Sequence, residues 1–276
     1  MSNTIELAKS FVPKLDECYR LASLTSVLDG APELAKQGAN ANELIIPMMS
    51  MDGLADYSRN GGYVQGGVTM TNETVKCNFD RGRRFDVDIM DDLETAGLAF
   101  GRLSAQFIRD KVVPELDAFR FASYCGIKIG GVTKKEETLA DGAATVAALS
   151  AAVTAMDDEE VTATGRYLFI TPTLLQGIND MDTTKSKKVL EGFEQVIKVP
   201  QRRFYTAIKQ LSGKTGEEAG GYTKAAGAAN INFAIVQKDA LIQYTKHAAP
   251  KIIAPENNPD ADAYVFGYRM VGIAKA

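Results

Sequence analysis

The chain has 276 residues, is 45% hydrophobic and 24% charged, and carries a formal net charge of −4. That length allows a sizeable core, and the small negative charge argues against a protein that coats nucleic acid, which needs a large basic excess. A single histidine, His247, rules out a zinc site built on several imidazoles. The three distant cysteines, Cys18, Cys77 and Cys125, form neither a CxxC pair nor a disulfide ladder and read as reduced thiols.

In chain order, residues 1–42 read as an arm. A loose helical stripe, Leu15, Tyr19, Leu21 and Leu24, is broken by the turn-rich "DGAPELAKQGANANE". The opening "MSNTIELAKSF" carries Glu6 and no apolar block, so it is not a secretory signal, and no apolar run reaches the length of a membrane span. Residues 43–88 then read as a two-stranded ribbon. "ELIIPMMSM" and "VTMTNETVKCNF" flank a glycine-rich tip, "DGLADYSRNGGYVQGG". Neither face is convincingly apolar, and a lone ribbon is marginal in water. Something outside the ribbon must hold it.

The clearest periodicity follows. "DDLETAGLAFGRLSAQFIRD" places Leu93, Ala96, Phe100, Leu103 and Phe107 on one helical face, with Asp91 and Glu94 spaced as a capping box. "KVVPELDAFRFASYC" continues the stripe through Leu116, Phe119 and Ala122, with a kink expected at Pro114. Together they predict a long spine helix. "TLADGAATVAALSAAVTAMDDEEV" predicts a second helix, capped by Asp141 and buried through Val146, Leu149, Val153 and Met156. "GRYLFITP" predicts a short buried strand, "TPTLLQGIND" a helix, and "EGFEQVIKVP" and "NINFAIVQ" two further strands of one sheet. Between the last two, "KQLSGKTGEEAGGYTKAAGAAN" reads as a long, mobile loop. A short helix over 239–243, a loop around His247, a strand over 251–253 and a long strand over 263–274 close the chain.

No motif carries catalysis. "SGKTG" lacks the glycine that a phosphate loop needs five residues upstream, where Ile208 stands. "GGYVQGG" has the wrong spacing for a dinucleotide fingerprint, and "DVDIMDD" lacks the glycine turn and closing Glu of a calcium loop. "DDEE" at 157–160 reads as a solvated helix end. "RGRR" at 81–84 is a compact basic knot, suited to carboxylate pairing. No set of nucleophile, base and oxyanion donor emerges, and no cofactor or metal is expected.

The order of arm, ribbon, spine, α+β unit and long closing strand resembles the major capsid proteins of tailed bacteriophages, which share the Hong Kong 97-type fold. "PMMSMDGLADYSRNGGYVQGGVTMTNET" resembles that family's extended loop, and "DRGRRFDVDIMD" its exit into the spine. "VVPELDAFRF" is similar to the spine's second half. "GRYLFITP", "NINFAIVQKDALI" and "PKIIAPENNPDADAYVFGYR" are similar to strands of its axial and peripheral domains. The resemblance implies an α+β chain divided into an N-terminal arm (1–42), an extended β-hairpin loop (43–88), a spine helix of the peripheral domain (89–133), an axial domain (134–245) and closing peripheral strands (246–276).

By the same resemblance the chain is not an enzyme. It would assemble with itself through hexamers and pentamers into an icosahedral shell around double-stranded DNA, in a virion formed in the bacterial cytoplasm. The ribbon would reach over a neighbouring subunit, with Arg59, Arg81, Arg83 and Arg84 facing the acids of neighbours and Asp56 and Asp86 on the other side. A separate scaffolding protein, a portal and a decoration protein are the implied partners. Packaged DNA makes only weak, non-specific contact, and no membrane is involved. An encapsulin-type compartment, built on the same fold, is the alternative. A soluble α+β enzyme is a further one, disfavoured by the missing catalytic set.

Overall fold

The computed structural model describes residues 23–30, 36–37, 43–90, 98–126 and 135–276. The expected helical stripe before residue 23 and the capping box of Asp91 and Glu94 lie outside them. The ribbon consists of β2 (Glu43–Met51) and β3 (Val68–Lys76), antiparallel, with Pro47 opposite Asn72; the short β1 (Lys36–Gln37) pairs onto β2. Two residues after β3 the chain enters β4 (Phe79–Asp88). This strand is the edge of a second antiparallel sheet, ordered β10 (Ile242–Ile253), β11 (Ala263–Lys275), β4.

Within the described residues the spine comprises α1 (Leu98–Phe107), widens into one π turn (Ile108–Val112) and continues as α2 (Val113–Cys125). The expected kink takes this form. Pro114 has no N–H to give and its ring crowds the carbonyl four residues back, so a wider turn just before it relieves the clash without ending the helix. The described spine is ~42 Å long at 1.5 Å per residue.

The spine bridges two cores. Ile108, Val113 and Leu116 pack on Phe79, Phe266, Tyr268 and Met270 of the β10–β11–β4 sheet. One to two turns on, Phe121 and Tyr124 pack on a third sheet, ordered β6 (Gln195–Lys198), β5 (Arg166–Ile170), β9 (Phe233–Gln237). The two-residue alternation of β5 divides its side chains between faces. Tyr167 and Phe169 meet the spine; Leu168 and Ile170 meet α3 (Gly142–Asp158) and α4 (Pro172–Asp180) on the other side. Strand β5 is buried along its whole length, as a central strand covered on both faces must be. The parallel pairing of β5 with β6 requires a crossover, which α4 and α5 (Thr184–Glu191) supply.

Local signals explain the helix starts. Asp141 caps α3 by accepting the Ala144 N–H at 2.7 Å, and Pro172 occupies the first turn of α4. Helices α3 and α4 cross in close contact at Gly142, where an added Cβ would lie 2.2 Å from the Gly177 carbonyl oxygen. The acidic end of α3 is exposed, as expected, with Asp157 paired to the buried Arg166 at 2.7 Å.

Three readings are corrected. The stretch around His247 is strand, not loop: β10 runs through it with a bulge between Thr245 and His247. The strand accommodates Pro250 because β10 is an edge strand, half of whose N–H groups face away from the ladder. The helix expected over 239–243 is a single 3-10 turn (Lys238–Ala240), after which β10 begins. The segment read as a long loop holds a hairpin, β7 (Ile208–Gln210) with β8 (Tyr222–Lys224). Among the described residues no helix is long and apolar enough to cross a membrane.

Candidate functional site

Two features stand out, and the first is the ribbon. Among the described residues it meets the body near its base, where Val75 packs on Ile273 and Glu73 pairs with Lys275. Beyond that, large apolar side chains face solvent: Met49, Met51, Leu54, Tyr57, Tyr63, Val64, Val68 and Met70. Leu54 is fully exposed and Tyr63 is 91% exposed. The tip is nonetheless shaped. Ser58 and Gly62 exchange backbone hydrogen bonds of 3.2 and 2.7 Å, Gly62 takes a φ of 74°, and the rings of Tyr57 and Tyr63 meet at 4.9 Å. The Asp52 carboxylate accepts the Gly67 N–H at 2.7 Å and pins the tip's exit to its entry. An ordered apolar projection of this kind marks a contact surface. Asp56 and Arg59 stand exposed on it and form no ion pair with a described residue.

The second is strand β4 with the hairpin above it. An open cleft of about 1170 Å³ separates them, lined among others by Phe107, Lys111, Arg202 and Tyr222. Arg81 spans it, donating to the Glu115 carboxylate at 2.8 Å and to the carbonyls of Leu211 (2.7 Å) and Gly221 (3.3 Å). Arg83 donates to the Glu218 carbonyl at 2.9 Å. Arg84 points elsewhere and pairs with Asp86, two residues on along the same strand face, at 2.8 Å. Of the six residues expected at subunit contacts, then, Asp56 and Arg59 sit on the projecting tip, Arg81 and Arg83 hold their own chain's hairpin, and Arg84 and Asp86 hold each other.

Burial pushes the Glu115 carboxyl up, and the neighbouring Arg81 opposes that shift. On the hairpin, hydrogen bonds from Lys209 and from the Ser212 N–H hold the Glu217 carboxyl down to about 2, and the Gly216 N–H lowers Glu218.

The sequence reading missed a third feature. Asp117, fully buried in the spine, accepts hydrogen bonds from the Ser23 hydroxyl (2.9 Å), the Thr25 hydroxyl (2.7 Å), the N–H of Leu24 (3.1 Å) and Arg203 (3.3 Å). Arg120, one turn on, donates to the Thr25 hydroxyl and to Asp29. Gln243 of β10 reaches the same segment through the Thr25 carbonyl and Asp29, both at 2.7 Å. Residues 23–30 are thereby pinned to spine and sheet. No local signal singles out Asp117 and Arg120; contacts some ninety residues apart show their role.

No group of three His, Cys, Asp or Glu side chains suited to a metal occurs among the described residues. The polar lining of the cleft includes arginines, Lys111 and Lys224, tyrosines, Asp110, the paired Glu115, and Ser212 and Thr223.

The fold is that of bacteriophage capsid proteins, shared with a virus-like particle. The protein of the bacteriophage PhiM1 mature capsid matches with a TM-score of 0.55 at 10% identity, over 85% of this chain and 78% of its own. The capsid of Staphylococcus phage Andhra matches with a TM-score of 0.54 at 10% identity, over 87% and 79%. The virus-like particle from Pyrococcus furiosus matches with a TM-score of 0.57 at 11% identity, over 98% and 95%. No protein-family model and no curated protein matches the sequence.

Proposed function

We propose that this chain is the major capsid protein of a tailed bacteriophage, assembling with itself through hexamers and pentamers into an icosahedral shell that encloses double-stranded DNA. The observation that carries the reading is the ribbon. It is shaped at its tip and, among the described residues, exposes eight large apolar side chains and packs on its own chain only near the base. Such a surface is costly to leave in water and loses that cost when a second copy covers it. The tip and any surface that receives it are different patches. A contact of that head-to-tail kind generates rings where the rotation closes, and open filaments where it does not, rather than a symmetric dimer. The neighbours of the same fold form capsids and a virus-like particle, which supports the reading. Fold alone does not assign function.

The assembly partners that go with this reading are a separate scaffolding protein, a portal and a decoration protein, in a virion assembled in the bacterial cytoplasm. Division into the five segments set out from the sequence belongs to the same proposal. A compartment shell of the encapsulin type is the second reading, favoured by the near full-length match to the Pyrococcus furiosus particle. Electron microscopy of the chain expressed alone in bacteria tests both. Closed particles, or sheets of rings, are expected. Particles that package DNA when a scaffold and portal are supplied support the capsid; particles that capture one specific protein support the compartment. Monomers that no scaffold rescues overturn both.

A further inference from the structure

We propose that Arg81 and Arg83 clamp the loop end of the β7–β8 hairpin to β4, the strand that follows the ribbon, so that this end takes its position from β4 and the two projecting elements respond together. The paired strands of the hairpin are three residues each and the loop between them spans 211–221. Its root continues through the Thr206–Ala229 and Ala207–Ala225 backbone bonds to Phe204 and Ile231 in the core, so the root is anchored and the loop end is the part that stands over the cleft. There two guanidinium groups bridge it to β4.

Their placement is specific. Arg81 and Arg83 alternate by two along β4 and so leave the strand on one face. Arg81 takes the hairpin at the neck of its loop, binding the carbonyl of Leu211 just after one strand and of Gly221 just before the other. The Gly221 carbonyl also accepts the Leu211 N–H at 2.8 Å, so Arg81 grips the bond that closes the loop. Arg83 takes the loop farther out, at the Glu218 carbonyl. Its guanidinium lies against two glycines: a Cβ on Gly213 would sit 3.2 Å, and on Gly220 2.8 Å, from Nη1. Both have positive φ, 72° and 63°, which a side chain would strain. The loop thus presents a bare backbone seat where the arginine lands.

Strand β4 follows the ribbon strand β3 after Cys77 and Asn78, and Asn78 is itself tied to Ala274 by two hydrogen bonds, of 2.7 and 3.1 Å. A shift of β4 as the ribbon is covered therefore reaches the hairpin through the clamp. By linkage, fixing the hairpin biases the ribbon in return. This second step rests on the shell reading; the clamp itself does not.

Hydrogen exchange on the purified subunit tests the clamp. Arg83→Ala and, separately, Arg81→Ala are expected to speed exchange of the amides of Leu211, Glu217 and Gly220 by roughly ten- to a hundredfold, the factor implied by losing a hydrogen bond to a charged group. Exchange in α3 and β5 should not change. Arg83→Lys, which keeps the charge but not the fork and disturbs packing least, should show an intermediate effect and serves if the alanine variants unfold. Unchanged hairpin exchange in all folded variants overturns the clamp. In assembled particles the wild-type chain should gain protection in both ribbon and hairpin, and Arg83→Ala in the ribbon alone. Equal hairpin protection in both chains overturns the coupling. A chain that forms no particles defeats the shell reading while the exchange of the free subunit still decides the clamp.

Discussion

At the scale of single residues, the buried polar groups carry the sharpest consequences. Asp117 satisfies several donors at zero exposure, and its removal strands Arg203 and the hydroxyls of Ser23 and Thr25 together. Breaking a buried pair by deleting one partner costs about 3–5 kcal/mol. Asp117→Ala is therefore expected to lower the urea-unfolding free energy by about that amount, with Asp117→Asn keeping part of it. Arg81→Ala has a different signature. It leaves Glu115, whose side chain is 13% exposed, without its cation. Burial already raises the Glu115 pKa, and losing Arg81 raises it further. A carboxyl whose pKa is higher folded than unfolded stabilises below the unfolded value and loses that contribution as pH rises through the folded one. The deficit of Arg81→Ala should thus grow from pH 5 to pH 8, as urea titrations at several pH values would show.

At the scale of elements, two short units depend on narrow geometry. Where α3 crosses α4, the Gly142 backbone lies against the Gly177 carbonyl with no room for a methyl group. Gly142→Ala must push the helices apart and disturb the layer of Leu175 and Ile178. Overpacking of this kind typically costs about 1–3 kcal/mol, which thermal unfolding against wild type would register. The hairpin has an acid-sensitive brace as well. Glu217 has its pKa depressed to about 2, chiefly by Lys209 and the Ser212 N–H. A depressed carboxyl stabilises above its unfolded pKa and loses that contribution as pH falls through the folded value. Nicking within 211–221 by pepsin is expected to accelerate as pH drops from the ordinary carboxylate range towards 2. In Glu217→Gln the nicking should already be fast at the upper end.

At the scale of the whole molecule, stability and assembly are separable. The core runs from the β10–β11–β4 sheet through the spine to the helices outside β5, and the ribbon contributes only Val75 and its neighbours to it. Replacing Leu54 and Tyr63 by serine should shift unfolding free energy by no more than about 0.5 kcal/mol, the usual range for exposed positions away from special features. Particle formation, read by sedimentation and microscopy, should fall sharply in the same variant. Loss of both together would mean that the tip serves the fold rather than the contact.

What the sequence determined by itself was whatever repeats over a few residues. The two-residue alternation of the ribbon, the helical stripe through Leu116 and Phe119, the cap at Asp141, the unbroken apolar run of β5 and the proline that opens α4 are local signals, and each marked its element. Order along the chain was enough to suggest a capsid-like fold. The tertiary structure decided what depends on distant partners. Pro250 tolerates a strand because β10 happens to be an edge. The Gly/Ala-rich segment contains a hairpin, and strand β4, more than a hundred residues earlier, reaches its loop. Arg81 and Arg83 read as a basic knot, and folding gives them partners within the chain; Asp117 and Arg120, which no local signal singled out, are buried. Guanidinium and carboxylate groups carry no signature of their partners; only folding brings those within three ångströms.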